Sequence, residues 1–489
     1  MEAFGQNPIT GQQYRRLPAG MFEEVAPTPS RSPSLKELNR GLLAEFGVDA
    51  AWFESGEALS VFAGNSVPPG NAPIAMAYAG HQFGHWAPQL GDGRAHMLGQ
   101  LLSADGTAVD VQLKGSGRTR FSRGGDGRAT LGSVVREYVV SEAMAGLGIA
   151  TSRALAIVET GEPVMREEPE PGAILVRTAL SHVRIGSFQF AAAHLGPDAV
   201  RALADLVISR NYPVLTDSPE RYVELLDSII ARQARLVAQW MLVGFIHGVM
   251  NTDNMSVAGE TIDFGPCAFI DEFHPAKVFS SIDRNGRYAW NRQADIAHWN
   301  LSHLAATLLP LIDADETAAV EAAKASLERF SPQFNEHFFS GMRLKLGLAA
   351  TNEPDVLEAF IRRTLEVLGE QQVDFTVFFD ALTRQALGDE SALQTQVPGF
   401  TEAAGSWLSE WQSLQRTGEL ELMRLANPAV IARNHRVEQA IAAAVTGNFE
   451  PMRRLCRVLA APFTVAETDR DLCEPPQPHE RVTRTFCGT

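Results

Sequence analysis

Cysteine is scarce in this chain, positive charge is in deficit, and long apolar runs are missing. Four cysteines, Cys267, Cys456, Cys473 and Cys487, are scattered through 489 residues with no C-x-x-C pair, which argues against a structural zinc site or a disulfide scaffold. No stretch approaches the roughly 20 apolar residues that span a bilayer. The opening MEAFGQNPITGQQYRR also lacks the apolar centre of a secretion signal, so a soluble cytoplasmic protein with no membrane partner is expected. Lys and Arg number 42 against 58 Asp and Glu, a formal charge of -16, and that balance disfavours nucleic acid, whose binding is driven by cations that neutralise the phosphate backbone. A single nucleotide needs only a few local cations, and the segment from Lys114 to Arg128 is locally basic.

The remaining composition is that of a folded protein, with 45% hydrophobic and 20% charged residues. The length exceeds what one core usually supports, so two lobes are expected. Residues 1–35, rich in Pro, Gly and Ser, read as an extended arm, followed by a short helix from Leu35 to Phe46. The stretch 65–94 is dense in Gly, Pro, His and Gln and reads as a structured loop region. AHMLGQLL (95–102) and AVDVQLK (108–114) are strand-like runs joined by SADGT, a hairpin signal that places Lys114 at a strand end. A Gly-rich loop, GSGRTRFSRGGDGRAT, leads into a helix from Leu131 to Leu147, with Leu131, Val134, Val135 and Tyr138 at helical spacing and Glu137 beside them. Strands are predicted at ALAIVE (154–159) and AILVRTA (173–179). Beyond Pro197 helices dominate, at 197–209, 219–245 and several times between 292 and 444. The exception is MSVAGETIDFG, read as a tight hairpin that returns Asn254 and Asp263 to one place. The expected fold class is α+β, a protein-kinase-like two-lobed fold. Its divisions are an N-terminal extension (1–70), a mixed lobe (71–195), a helical lobe (196–450) and a tail (451–489).

That fold rests on a motif. His247 to Asn254, HGVMNTDN, followed nine positions later by Asp263-Phe264-Gly265, is similar to the kinase catalytic loop H-R-D-L-x-x-x-N and its metal-binding D-F-G. The position of the usual catalytic base is Val249, and a carboxylate reappears at Asp253. Asn254 and Asp263 offer oxygens to a metal, and Lys114 with Glu137 matches the kinase pair that positions phosphate oxygens. Gly91, Gly93, Gly115, Gly117, Gly124, Gly125 and Gly127 allow backbone N–H groups to approach phosphate. Arg94, Arg118, Arg120, Arg123, Arg128, Arg177 and Arg184 exceed the cations of an ordinary kinase cleft and suit a triphosphate gripped deep in the first lobe. Each feature alone has a plain reading as a strand end, a solvated charge or a surface ion pair. Their order along the chain favours a nucleotide cleft. From these residues alone, nucleotidyl transfer, phosphoryl transfer by an unusual kinase with a displaced base, and an inactive ATP-binding scaffold all stay open.

YAGHQFGHWAPQLGDGRA, QLKGSGRTRFSRGGDGRATLG, HGVMNTDNMS with TIDFGP, and NPAVIARNHRVEQAI closely resemble the selenoprotein O family, over about residues 70 to 445 and again at the antepenultimate Cys487. The resemblance implies a pseudokinase that binds ATP flipped relative to kinases, transfers AMP to Ser, Thr or Tyr hydroxyls of proteins and releases pyrophosphate. It implies ATP contacts at Gly91, Gly93, Arg94, Lys114, Asp126 and Gly127, with phosphate contacts at Arg177 and Arg184. It further implies Asp253 as the proton acceptor, Asn254 and Asp263 as ligands of Mg2+ or Mn2+, and Glu137 as the partner of Lys114. The family associates a cysteine or selenocysteine near the C-terminus with redox control through an internal disulfide. Here Phe279, Ser280 and Ser281 stand where a partner cysteine is expected, and a free Cys487 thiol on a mobile tail is the alternative.

Overall fold

A computed structural model of the chain describes residues 7–68, 70–400, 404–415 and 420–486. Its first half is built on an antiparallel sheet. The strands are β1 (Phe22–Glu24), β2 (Ser34–Leu38), β3 (Ile74–Met76), β6 (Ala95–Leu102), β7 (Ala108–Lys114), β8 (Ala129–Thr130), β9 (Arg153–Met165) and β10 (Pro169–Ala179). They run in the order β1-β3-β6-β7-β10-β9-β2, with β8 paired to β10. Two short strands between β3 and β6, β4 (Gly80–Gln82) and β5 (His85–Ala87), form a separate hairpin.

The alternation of side chains along β7 and β10 decides what each face of the sheet carries. Val111, Leu113, Ile174 and Val176 point to one side and join a core with Leu42, Leu43 and Phe62 from helices α1 (Arg40–Phe46) and α2 (Gly56–Phe62) and Trp52 from the turn between them. Gln112, Lys114, Leu175 and Arg177 therefore share the other side. There Arg177 stands opposite Gln112 and Leu175 opposite Lys114. Across that inner face lies α3 (Leu131–Gly146), opened by Thr130, whose hydroxyl accepts from the Ser133 amide at 3.4 Å.

Helices dominate from α4 (Ile185–His194) onward: α5 (Pro197–Asn211), α6 (Arg221–Leu242), α7 (Gln293–Ile312) and further helices to Glu450–Leu459. The α+β class is thus observed, with an antiparallel sheet. Among the described residues no helix is long and apolar enough to cross a membrane.

The N-terminal arm, read as extended, supplies strands to both ends of the sheet, where β1 and β2 pair with β3 and β9. Two expectations fail. The helix expected from Leu35 is therefore a strand as far as Leu38 and a helix only from Arg40, where the Asn39 side chain accepts from the Leu42 amide at 3.0 Å. The hairpin expected in MSVAGETIDFG is also absent. Ser256 bridges Arg184 and Thr261 bridges Thr151, so each half pairs outward and the two halves do not pair with each other. The chain still turns there, at Gly259 with φ +77°. The tail before the terminus is docked, since the Thr485 amide donates to Phe279 O at 2.9 Å and its hydroxyl to Pro266 O at 2.6 Å. Cys487 itself lies outside the described residues.

Candidate active site

A cleft of about 850 Å³ opens between the inner face of the sheet, α3 and the segment 249–266. That volume is in the range of small-molecule and cofactor pockets. Gly91, Gly93, Arg94, Lys114, Asp126, Gly127, Glu137, Arg177, Asp253, Asn254 and Asp263 all line it. Arg184 is the one predicted site residue missing from the wall, 2% exposed behind it.

The centre is a cluster of three cations and two carboxylates. Lys114 Nζ donates to Glu137 Oε2 at 2.5 Å and to Asp263 Oδ1 at 3.0 Å. Arg177 Nη1 reaches Glu137 Oε1 at 3.0 Å and Asp263 Oδ1 at 2.7 Å, while its Nε and Nη2 donate to Gln112 Oε1 at 2.9 and 2.7 Å. Arg184 Nη1 donates both to Asp263 Oδ2 and to the Asp253 carbonyl, each at 2.8 Å. Its guanidinium also lies over the Tyr78 ring, 4.6 Å from the centroid. One arginine nitrogen thereby ties the backbone of Asp253 to the carboxylate of Asp263. Burial disfavours the charge on Asp263, but the three surrounding cations win and hold it well below the ordinary carboxylate range. The same balance, with Lys114 and Arg177, lowers Glu137. Three cations against two carboxylates leave one positive charge in excess within the cluster.

Asp253 is in the opposite situation. It is buried, and among the described residues only Gln82 Nε2 donates to its Oδ2, at 3.3 Å, while its Oδ1 has no hydrogen-bond partner. Burial pushes its pKa up to about 6, with Gln82 and Arg184 only partly offsetting that effect. It is therefore ionised at neutral pH and a better proton acceptor than an ordinary carboxylate. Val249, at the position of the kinase base, is buried, and its carbonyl accepts from Asn254 Nδ2 at 2.9 Å. That bond fixes the Asn254 amide and leaves its oxygen as the available donor atom.

Helix α6 and the segment that follows bring the two halves of the motif together. His247 Nε2 contacts the Ile262 carbonyl at 2.9 Å, and the Trp240 indole donates to Thr261 Oγ1 at 2.9 Å. Asp263 sits at φ +62°, unusual for a residue with a side chain, and the Gly265 amide returns to its carbonyl at 2.9 Å. Glu260 anchors the turn by accepting from the Leu180 amide at 2.9 Å, and burial raises its pKa from 4.5 to about 8. The folded state thus keeps a proton that the unfolded chain gives up above pH 4.5. This contribution to stability is full below pH 4.5 and lost as pH rises through 8. Glu260→Gln should remove that loss, gaining on the order of a few kcal/mol over wild type at pH 8.5 and little at pH 4.5. Thermal unfolding of both proteins across this range checks it, and parallel curves would contradict it.

The Gly-rich loops have an observed packing reason beside the expected one. A β-carbon at Gly91 (φ +141°) would lie 2.4 Å from the Phe121 ring, and one at Gly127 (φ +69°) would lie 2.2 Å from the Gly117 carbonyl. The glycines let the 91–94 and 115–128 loops lie against each other. Asp126 is on the rim, where Arg166 Nη1 donates to its Oδ2 at 2.8 Å.

The family profile described as protein adenylyltransferase SelO matches residues 10–460. The chain belongs to the SelO family. It is 51% identical over 498 residues to a protein nucleotidyltransferase YdiU of Shewanella denitrificans, covering 99% of this chain and 98% of that one. A relative of the same name from Rhodopseudomonas palustris is 51% identical over 484 residues, covering 97% and 98%. Another from Rhizobium etli is 49% identical over 485 residues, covering 97% and 96%. As a SelO protein it is a nucleotidyltransferase, a protein adenylyltransferase with ATP as a substrate.

The SelO site contains residues that motif reading missed. Asp92 accepts from the Met76 amide at 3.1 Å and from Gln112 Nε2 at 3.0 Å, and Gln112 in turn holds Arg177. The period-two alternation of VDVQLK carried the signal for Gln112, since it must share a face with Lys114. Arg136, next to Glu137 on α3, donates to Gly265 O at 3.2 Å and also to the Cys267 carbonyl, tying the helix to the end of the D-F-G. Nothing in the sequence marked Gln82. Cys267 is a buried free thiol that burial pushes up to about 11, so it is not a reactive thiolate at neutral pH.

Proposed function

We propose that this enzyme seats ATP backwards in a kinase-like cleft between a mixed lobe (71–195) and a helical lobe (196–450), and transfers AMP to Ser, Thr or Tyr hydroxyls of proteins. The observation that carries the reading is the pairing of a buried, half-unpartnered Asp253 with a valine at position 249, beside a cation cluster deep against the sheet. A kinase base at 249 would serve the terminal phosphate; a base at 253 over a different phosphorus serves another transfer.

In this reading Arg94, Lys114 and Arg177 hold the β- and γ-phosphates, with Arg184 close behind them. Gly91, Gly93, Asp126 and Gly127 shape the wall for the rest of the nucleotide. Asn254 and Asp263 would hold magnesium or manganese. Two hard oxygen donors suit such an ion, which completes its shell with phosphate oxygens and water, and no cluster of three or more His, Cys, Asp or Glu competes for it among the described residues. The ion would offset phosphate charge as it shifts during transfer. Asp253 takes the proton of the acceptor hydroxyl as its oxygen bonds to the α-phosphorus. The bond from that phosphorus to the α,β-bridging oxygen breaks, and pyrophosphate leaves with the electron pair. Lys114 and Arg177 stabilise the charge growing on the departing group, the largest contribution such sites usually make.

The test is a mass-spectrometric search for AMP-bearing peptides in a proteome treated with enzyme and ATP, with pyrophosphate measured alongside and Asp263→Ala as control. AMP on hydroxyl side chains, matched by pyrophosphate and absent in the control, is expected. Phosphorylated peptides instead would make the enzyme a kinase, and no modification would make it a scaffold.

A further inference from the structure

The β4–β5 hairpin is joined to the catalytic segment by three successive residues. The His81 amide donates to Thr252 Oγ1 at 2.7 Å, Gln82 Nε2 to Asp253 Oδ2 at 3.3 Å, and the Phe83 amide to Asn251 Oδ1 at 3.0 Å. Asn251 Oδ1 also accepts from the Tyr288 hydroxyl at 2.6 Å. The hairpin is held from its other side as well. His81 stacks on His303 with centroids 3.9 Å apart and meets the Trp299 ring edge-on at 5.3 Å, and its Nδ1 contacts Gln189 Nε2 at 2.9 Å. Its two-residue turn, Phe83 at φ +52° and Gly84 at φ +84°, has the left-handed pair that closes tight hairpins.

This rigid strand surrounds the Asp253 carboxylate. A β-carbon on Gly80 would lie 2.3 Å from Asp253 Oδ1 and 2.9 Å from Cγ, so only glycine leaves the carboxylate where it is. Among the described residues Gln82 is the sole side chain donating to it, and its amide serves Oδ2 alone, leaving Oδ1 buried and bare. An orphaned buried oxygen is costly, and here Oδ1 is covered by Gly80, so the carboxylate is held from the Gln82 side alone.

Resting on the reading of Asp253 as the base, we propose that Gln82 is a positioning residue that orients the Asp253 carboxylate. By holding Oδ2, with Gly80 packed against Oδ1, it fixes the plane of the carboxylate where Asp253 lines the cleft. Gln82 does not hold ATP, and its effect passes through Asp253. Removing the amide frees the carboxylate to rotate, and misplacing a reacting group by about 1 Å costs up to about 100-fold in rate.

The experiment measures kcat and KM for ATP, ATP binding by calorimetry and thermal unfolding for Gln82→Leu, Gln82→Glu, Gln82→Asn and Gly80→Ala, and for Gln82→Leu combined with Asp253→Ala. Gln82→Leu should lower kcat by roughly 10- to 100-fold while KM and ATP affinity stay within about twofold and the unfolding temperature holds. Gln82→Glu keeps the shape but brings a carboxylate against Asp253, and should be at least as slow. Gln82→Asn keeps the donor on a shorter arm and should recover part of the rate. Gly80→Ala should mimic Gln82→Leu from the other oxygen. In the Asp253→Ala background Gln82→Leu should cost nothing more, because the two act as one unit. The inference is overturned if Gln82→Leu keeps wild-type kcat, or if it slows the Asp253→Ala enzyme by the factor it imposes on wild type. Wild-type transfer by Asp253→Ala would instead remove the base assignment itself.

Discussion

Asp263→Ala should abolish AMP transfer, with a loss of at least about 10³-fold, at the upper end of what one electrostatic group contributes to such a transition state. In the proposed reading Asp263 has two jobs. As an oxygen donor it would share the divalent ion with Asn254, and as an anion it neutralises Lys114, Arg177 and Arg184, each within 3.0 Å. Removing it leaves Glu137 as the only carboxylate in the cluster and takes from Arg184, 2% exposed, its one ion-pair partner among the described residues. Breaking a buried pair from one side costs about 3–5 kcal/mol, so the variant should also unfold at a lower temperature. Asp263→Asn keeps the volume but not the charge, and should show the same loss of transfer. Calorimetry with and without magnesium separates the two jobs, since the ion should no longer strengthen ATP binding. Transfer surviving in either variant would remove Asp263 from the mechanism.

Asp253→Ala should behave in the opposite way on stability. Burial already penalises its charge, raising it to about 6, and one of its oxygens is unpaired. Deleting it relieves an unfavourable group and should leave the unfolding temperature unchanged or raised. ATP affinity should stay within about twofold, because Arg184 is bonded to the Asp253 main-chain carbonyl, which the substitution keeps. Transfer should fall by roughly 10² to 10⁴, the usual contribution of a positioned general base. A stable, ATP-binding, slow enzyme is the expected phenotype. Single-turnover rates beside binding isotherms check it, and an equal loss of affinity and rate would make Asp253 a binding group.

How much of this the sequence discloses depends on the range of the interactions involved. β6, β7 and α3 lie within a residue of where periodicity places them, because their patterns are local and strong. β2 was hidden, since Ser34–Leu38 is a strand only through its pairing with β9, more than a hundred residues away. The turn at Gly259 was legible and its pairing was not, because Ser256 and Thr261 bond to Arg184 and Thr151, which no local rule can name. The motif residues converge as their order suggested. The finding that Arg184 is tied to carboxylate and carbonyl behind the cleft wall required coordinates. Gln112 was legible from the alternation of its strand, whereas Asp92, Arg136 and Gln82 support the motif residues from a loop, a helix and a short strand, and neutral or paired side chains of that kind leave no spacing signature.

The orientation of the triphosphate is the claim on which the chemistry depends. ATP labelled on the α-phosphate and ATP labelled on the γ-phosphate, given separately to the enzyme with an acceptor protein, test it directly. The account predicts label on the protein only from the α-position, with the γ-label recovered in pyrophosphate. Label carried to the protein from the γ-position would mean the nucleotide sits as in an ordinary kinase, and would contradict it.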